Sequence, residues 1–217
     1  MQLFIVRHGE CYGNVDSSRY QSADTALTPL GAQQAACAGR RLAELGITHI
    51  VSSPLQRALA TAQTIAEQTH ITTIKVWMEL REGNHGEYWC EGRSVLAAIA
   101  PHAVLPEELG EEGWLHATLN NQEFIARCER AVMRIQETFS HNDRVAIVTH
   151  GLTGSNLLHV LLGIPWQRPS WFTLANGSIS EVRIVPDPVA ERPNWELLPP
   201  VDVEVEYIND LRHLSEL

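Results

Sequence analysis

Short apolar runs alternate with helical stripes over the first 165 residues, and this alternation most narrows the folds open to the chain. Residues 2–7, with Leu3-Phe4-Ile5-Val6 at their centre, Ile47 to Val51, Ile74 to Trp77 and Val145 to Thr149 each read as a buried strand. Between them lie helix signals. Thr28-Pro29 supplies an N-cap and a first-turn proline, and Ala32, Ala35, Ala36, Leu42 and Leu45 follow as a stripe that Gly46 stops. Ser53-Pro54 repeats the start signal for a helix to about Gln68. Asn121 caps a third, whose apolar face is Phe124, Ile125, Cys128, Ala131, Val132, Ile135 and Phe139. A fourth runs from His150-Gly151 through Leu162. Strands separated by helices pair in parallel and bury both faces. The pattern predicts an α/β three-layer sandwich with a mostly parallel central sheet and helices on both sides.

Two stretches depart from the alternation. After Pro165 the chain turns β-rich, with strands expected at Trp171 to Leu174, Ile179 to Val185 and Trp195 to Leu198. Asn176-Gly177 is a hairpin signal between the first two, which predicts an antiparallel hairpin at one sheet edge. Residues 81–120 are rich in Gly, Glu, His and Pro and apolar only around Val95 to Ala100. They read as a partly helical lid insertion over one end of the sheet. No repeat, low-complexity tract or linker interrupts the chain, so residues 1–217 are expected to form one domain.

Composition excludes several functions. No run reaches the roughly 18–20 consecutive apolar residues that span a bilayer, and the N-terminus lacks the pattern of a signal peptide. A cytoplasmic protein without membrane contact is expected. The net charge of −10 repels a nucleic-acid backbone, yet the positive charge is almost all arginine. A local arginine pocket can hold phosphate inside an overall negative field. Cys11, Cys37, Cys90 and Cys128 are widely spaced with no C-x-x-C pair, which argues against a disulfide framework or structural zinc. Nothing in the pattern rules out a homodimer.

Three junctions carry the chemistry. The first strand delivers Arg7-His8-Gly9-Glu10, with Asn14 shortly after. The second strand leads into Ser52-Ser53-Pro54-Leu55-Gln56-Arg57, and another ends at Thr149-His150-Gly151. In a parallel sheet these carboxyl ends share one edge, so the side chains converge. Two arginines, two histidines and a helix N-terminus at one point make an anion site that contains a nucleophile. An imidazole with a pKa of about 6.5 is partly neutral at cellular pH and attacks phosphorus without a separate base.

With these motifs the chain resembles the histidine phosphatase superfamily, which contains cofactor-dependent phosphoglycerate mutase and its phosphatase relatives. The likeness runs from Leu3 through Glu10 with Asn14, through Leu27-Thr28-Pro29-Leu30-Gly31, and through Ser52 to Ala58 with Thr61-Ala62. Leu80-Arg81-Glu82, Val148-Thr149-His150-Gly151 and the ending Ile208-Asn209-Asp210 with His213-Leu214 complete it. The resemblance implies that His8 takes the phosphoryl group as a phosphohistidine. It implies that Arg7, Arg57 and His150 hold the phosphoryl oxygens, that Asn14 adds a hydrogen bond, that Gly151 is among the substrate-binding residues, and that Glu82 protonates the leaving oxygen before activating water. No metal and no cofactor are expected, since the arginines neutralise the charge. The partner is a small phosphorylated substrate.

The resemblance leaves the acceptor open between water and a second alcohol. Mutases of the family it resembles hold the carboxylate of phosphoglycerate with basic residues of this central insertion. Between Ser94 and Asn121 there is no arginine or lysine, only His102 and His116 could serve, and Glu107, Glu108, Glu111 and Glu112 would repel a small dianionic acid. The reading is therefore a metal-independent phosphomonoesterase. A phosphoglycerate mutase is the alternative, and an inactive phosphate-binding regulator a minor one. Glu10 reads as a residue in or just behind the pocket, with a solvated glutamate as the alternative, and Cys11, Tyr12 and Gly13 are expected to face the pocket mouth. Tyr88, Trp89, Trp114 and Leu105 are offered as either pocket wall or packing. His85, Glu87 and Cys90 fit no standard metal spacing.

Overall fold

The computed structural model describes residues 1–16, 24–83, 87–117, 120–167, 171–191 and 201–217. In chain order these form β1 (Gln2–Arg7), α1 (Tyr12–Val15), α2 (Pro29–Glu44), β2 (His49–Ser52), α3 (Gln56–Thr69) and β3 (Ile74–Val76). There follow β4 (Tyr88–Cys90), α4 (Arg93–Ile99), β5 (Ala103–Val104), β6 (Trp114–His116), α5 (Asn121–Thr138), β7 (Arg144–Thr149), α6 (Gly151–Leu161), β8 (Ile179–Ile184) and β9 (Val203–Asp210). Seven strands make one sheet in the order β5-β3-β2-β7-β1-β8-β9. The pairs from β5 to β1 are parallel, and β8 and β9 close the other edge antiparallel.

The two-residue period of the strands divides the core. Phe4 and Val6 of β1 pack with Ile50, Ala146, Val148 and the α2–α3 residues Ala38, Leu42, Leu59 and Ile65. Leu3 and Ile5 face the other way, onto Phe124, Cys128, Ile135, Leu157 and Leu158 of α5 and α6. Each such side chain contributes roughly 1.5–3 kcal/mol on burial, so a one-residue slip in β1 would reverse both layers at once. The predicted three-layer α/β architecture is present.

Local signals act much as their chemistry dictates. Thr28 Oγ1 accepts the Gly31 N–H at 3.0 Å ahead of Pro29, and Gly46 takes the left-handed conformation (φ 65°) just past α2. The cap of α5 is Asn120 rather than Asn121, through a capping box with Glu123. α3 begins at Gln56, not at Ser53-Pro54. The Ser53 N–H is engaged by Val148 O, and its hydroxyl accepts from Leu55 N, which makes a turn before the helix.

The late region differs most from expectation. Trp171 to Leu174 form no strand, because Phe172 N–H bonds Ser155 Oγ and Leu174 O accepts from Arg7. The antiparallel edge is instead β8 with β9, a strand the apolar pattern did not single out. Asn176-Gly177 is a turn, but it does not join those two strands. The strand expected at Trp195 to Leu198 lies outside the described residues. The insertion after residue 81 forms the β4–β6 ribbon and α4, yet Ala103–Val104 rejoin the main sheet as β5. Among the described residues no helix is long and apolar enough to cross a membrane. All four cysteines are free and buried.

Candidate active site

The carboxyl ends of β1, β2 and β7 meet in register. Arg7 pairs with Thr149 and Ser52 with Val148. The next residues stay tied to the sheet: His8 N–H donates to Thr149 O at 2.9 Å and Ser53 N–H to Val148 O at 3.0 Å. Packing then clamps the loop after β1. A Cβ on Gly9 would lie 2.2 Å from Gly31 O, and one on Gly31 would lie 1.9 Å from Glu10 O, so loop and helix α2 touch backbone to backbone.

His8 is buried, at 3% exposure. Its Nδ1 lies 2.7 Å from Gly9 O, and since a carbonyl can only accept, Nδ1 carries the proton. That leaves a lone pair on Nε2, which accepts from Arg57 Nε at 3.2 Å. Burial, then the positive field of Arg57, holds His8 well below the usual imidazole range. The ring is neutral and its free nitrogen points at a cation.

Arg57 sits in the first turn of α3 and extends to Asp24, with Nη1 to Oδ1 at 3.1 Å. Asp24 Oδ2 also accepts the Gln56 N–H at 2.7 Å, at the N-terminus of the same helix. Burial pushes the Asp24 carboxyl up to about 6 against the pull of Arg57. At neutral pH the pair is ionic, and the guanidinium is fixed at both ends.

His150, fully buried, stands edge-on to His8 with ring centroids 5.1 Å apart. Its Nε2 bonds Ser53 Oγ at 2.8 Å, and Nδ1 is buried with no partner. Burial and then Arg57 keep this imidazole well below its ordinary value too. Arg7 is anchored by Nη1 donating to Leu174 O at 2.6 Å, while its Nε is buried and unpartnered. Its guanidinium lies over Gly151, where an added Cβ would come within 3.6 Å of Cζ.

Glu82 reaches the same edge from the loop after β3. Its carboxylate accepts from Leu152 N (3.2 Å), Thr153 N (2.9 Å) and Gly83 N (2.9 Å), and so caps the helix that starts beside His150. Asn14 stands one layer back. Its Oδ1 accepts from Cys11 N at 3.1 Å and from Asn176 Nδ2 at 3.0 Å. Glu10 bonds the Thr28 hydroxyl at 2.7 Å. The structure thus gathers Arg7, His8, Arg57, His150 and Gly151, with Glu82 at the rim and Asn14 in support.

Sequence reasoning missed three contributors. Asp24 gave no local signal, because only the fold brings it to α3. Ser53 was read as a helix cap and instead orients His150. Asn176 was read as a hairpin residue; its Nδ2 donates to His8 O at 3.0 Å, and Gly177 N–H donates to Arg7 O at 3.0 Å. The insertion also lies differently from expectation. Tyr88, Cys90, Trp114 and His116 alternate inward on the β4–β6 ribbon, while Trp89, Leu115 and the four glutamates 107, 108, 111 and 112 face solvent. Leu105 is core packing. His85 lies outside the described residues.

Buried neutral histidines flanked by arginines thus gather at the carboxyl edge of a parallel sheet. Residues 3–193 match the histidine phosphatase superfamily (branch 1), and the chain belongs to that family. It is 31% identical over 193 residues, 84% of each chain, to the probable phosphoglycerate mutase GpmB of Erwinia tasmaniensis. Its fold is similar to that of the alpha-ribazole phosphatase from Shigella flexneri, with a TM-score of 0.65 and 22% identity over 97% of this chain and 96% of that one. A mycobacterial glucosyl-3-phosphoglycerate phosphatase gives a TM-score of 0.64 and 24% identity, over 96% and 98%.

Proposed function

We propose that this chain is a phosphomonoesterase that works through a phosphohistidine on His8 and acts on a small phosphorylated metabolite. The observation that carries this reading is the neutral His8 ring, whose Nε2 lone pair faces Arg57 while Arg7 Nε and His150 Nδ1 stand buried without partners. Nε2 attacks phosphorus and the ester oxygen departs with its electron pair, taking a proton from Glu82. Water then attacks the phosphorus, gives a proton back to Glu82, and returns His8 to its neutral form. Arg7, Arg57 and His150 are aimed at the equatorial oxygens, where fixed donors lower the barrier most. Protein cations supply the neutralising charge in this scheme, so the proposal requires no metal.

The test is hydrolysis of p-nitrophenyl phosphate, with and without EDTA, by the wild type and by His8→Ala checked for folding by circular dichroism. Activity insensitive to EDTA and abolished in the folded variant supports the reading; full activity in that variant overturns it. A mutase is the second reading, favoured by the name of the 31% identical relative. The solvent-facing position of the four glutamates also removes the repulsion that argued against it. Incubation with 3-phosphoglycerate and its bisphosphate primer separates the two, since a mutase isomerises and a phosphatase releases phosphate.

A further inference from the structure

Beneath the β4–β6 ribbon lies a second set of cations that the phosphoryl site does not use. Arg127, on α5, is 2% exposed. Its Nη2 donates to Arg81 O at 2.7 Å and Glu82 O at 3.2 Å, but Nε and Nη1 are buried with no partner. Arg81 Nε and Trp114 Nε1 are in the same condition. These groups adjoin one another. The Arg81 guanidinium lies 5.6 Å from the centre of the Trp114 ring, and Trp114 stacks on His116 at 5.6 Å. His116 Nε2 meets Glu82 O at 3.1 Å from the side of the ribbon.

Glu79 and Glu82 act on Arg81 and Arg127 through space, but neither carboxylate meets them directly. Among the described residues neither arginine has an ion-pair partner: Glu79 pairs with Arg134 at 3.0 Å, and the Glu82 carboxylate is turned onto α6. Burial, then the neighbouring Arg81, brings Arg127 down to about 10, still charged at neutral pH. Arg127 is a buried guanidinium with unmet N–H donors, and beside it the half-buried Arg81 has its Nε–H unmet; such donors are costly unless an anion completes them. Four unmet donors in one spot also call for an acceptor that the chain itself does not supply.

We propose that Arg81, Trp114 and Arg127, with His116 beside them, form a subsite for a second anionic group carried by the alcohol half of the substrate. The proposal rests on the phosphatase reading for what the first site does. Its place follows from Glu82, whose carbonyl touches Arg127 and His116 while its carboxylate lies beside the helix that begins at His150. The subsite therefore adjoins the leaving-group side. Because the ribbon covers these donors, occupancy requires it to lift.

Binding to folded His8→Ala protein tests this without depending on turnover. Titration calorimetry compares 3-phosphoglycerate with glycerol 3-phosphate, which share a carbon skeleton and differ in a carboxylate against a hydroxymethyl group. The expected result is a Kd at least about tenfold lower for the acid, the scale of a charge-assisted contact. Adding Arg127→Met should bring the two ligands within about threefold by weakening the acid alone. Trp114→Phe, which removes one N–H and keeps the ring, should weaken the acid severalfold and guards against a misfolded arginine variant. Equal affinities in the His8→Ala background, or parallel loss of both ligands in Arg127→Met, overturn the subsite. Failure of the wild type to hydrolyse p-nitrophenyl phosphate would count separately, against the phosphatase reading.

Discussion

Arg57 sets its Nε–H on the Nε2 lone pair of His8 at 3.2 Å, so the nitrogen proposed to attack already faces the cation proposed to share its target. Asp24 holds the far end of the same guanidinium at 3.1 Å. The placing of the His8 ring thus depends on a planar fork pinned at two points.

Replacing the fork while keeping the charge tests that dependence. Lysine at position 57 places one ammonium where two separate donors act, and cannot meet His8 and Asp24 together. Arg57→Lys should lower kcat/KM on p-nitrophenyl phosphate by about 10²–10³-fold, the cost of losing a preorganised donor. A lysine variant within tenfold of the wild type would show that charge alone suffices.

The two depressed histidines fix the pH behaviour. His8 and His150 are held below 6.5 by burial first and Arg57 next, so the native state resists protons that the unfolded chain accepts. Stability is fully present above an unfolded value of about 6.5 and is lost as pH falls through it towards the folded values. His116, brought down to about 4, works in the same direction, whereas Asp24, raised to about 6, opposes it. The urea midpoint should therefore fall as pH is lowered from 6.5 to 5, less steeply in His116→Gln. The acidic limb of kcat/KM, corrected for substrate ionisation, should lie below 6.5. A limb at 6.5 or above would mean that His8 titrates like an exposed imidazole.

Glu82 is assigned the leaving oxygen, and that role has a signature in the leaving group. p-Nitrophenolate departs readily without a proton, whereas an alkoxide does not. Because kcat/KM reports the steps up to departure of the leaving group and not the later attack of water, Glu82→Gln should leave kcat/KM for p-nitrophenyl phosphate within about tenfold and reduce it for an alkyl phosphate by about 10²–10⁴-fold. Equal losses of kcat/KM on both esters would assign Glu82 to holding the first turn of α6, where Leu152 and Thr153 N–H now meet it.

The residues that sequence made legible are those fixed by strand ends. Arg7, His8 and His150 follow apolar runs, and a parallel sheet must bring such ends together. What stayed hidden depends on long-range contact. Asp24 meets Gln56 and Arg57 across more than thirty residues, and Asn176 reaches back to His8 from 168 residues on. The Asn176-Gly177 pair did form a turn, because its residues favour one wherever they stand. Its use was set by Leu174 O and Gly177 N–H binding Arg7 instead of a partner strand. Arg127 lay within an apolar helical stripe that named its neighbours and passed over it.

Gly31 offers the most direct test of how the scaffold holds His8. An added Cβ there would lie 1.9 Å from Glu10 O, a backbone atom that no rotamer change can move. Relief must come from sliding α2 away from the loop that carries His8, or from shifting that loop. Gly31→Ala should destabilise the fold by about 2–3 kcal/mol, as overpacking does. A shift of about 1 Å in the nucleophile should also cost about 10²-fold in kcat. Gly46→Ala is the matched control. Its Cβ would meet nothing within 4 Å, but its φ of 65° is left-handed, so a cost of about 1–2 kcal/mol with unchanged kcat is expected. Urea unfolding and p-nitrophenyl phosphate turnover, measured on both variants, separate the two effects. If Gly31→Ala lost stability but kept kcat, the helix would have yielded while the loop and His8 stayed in place.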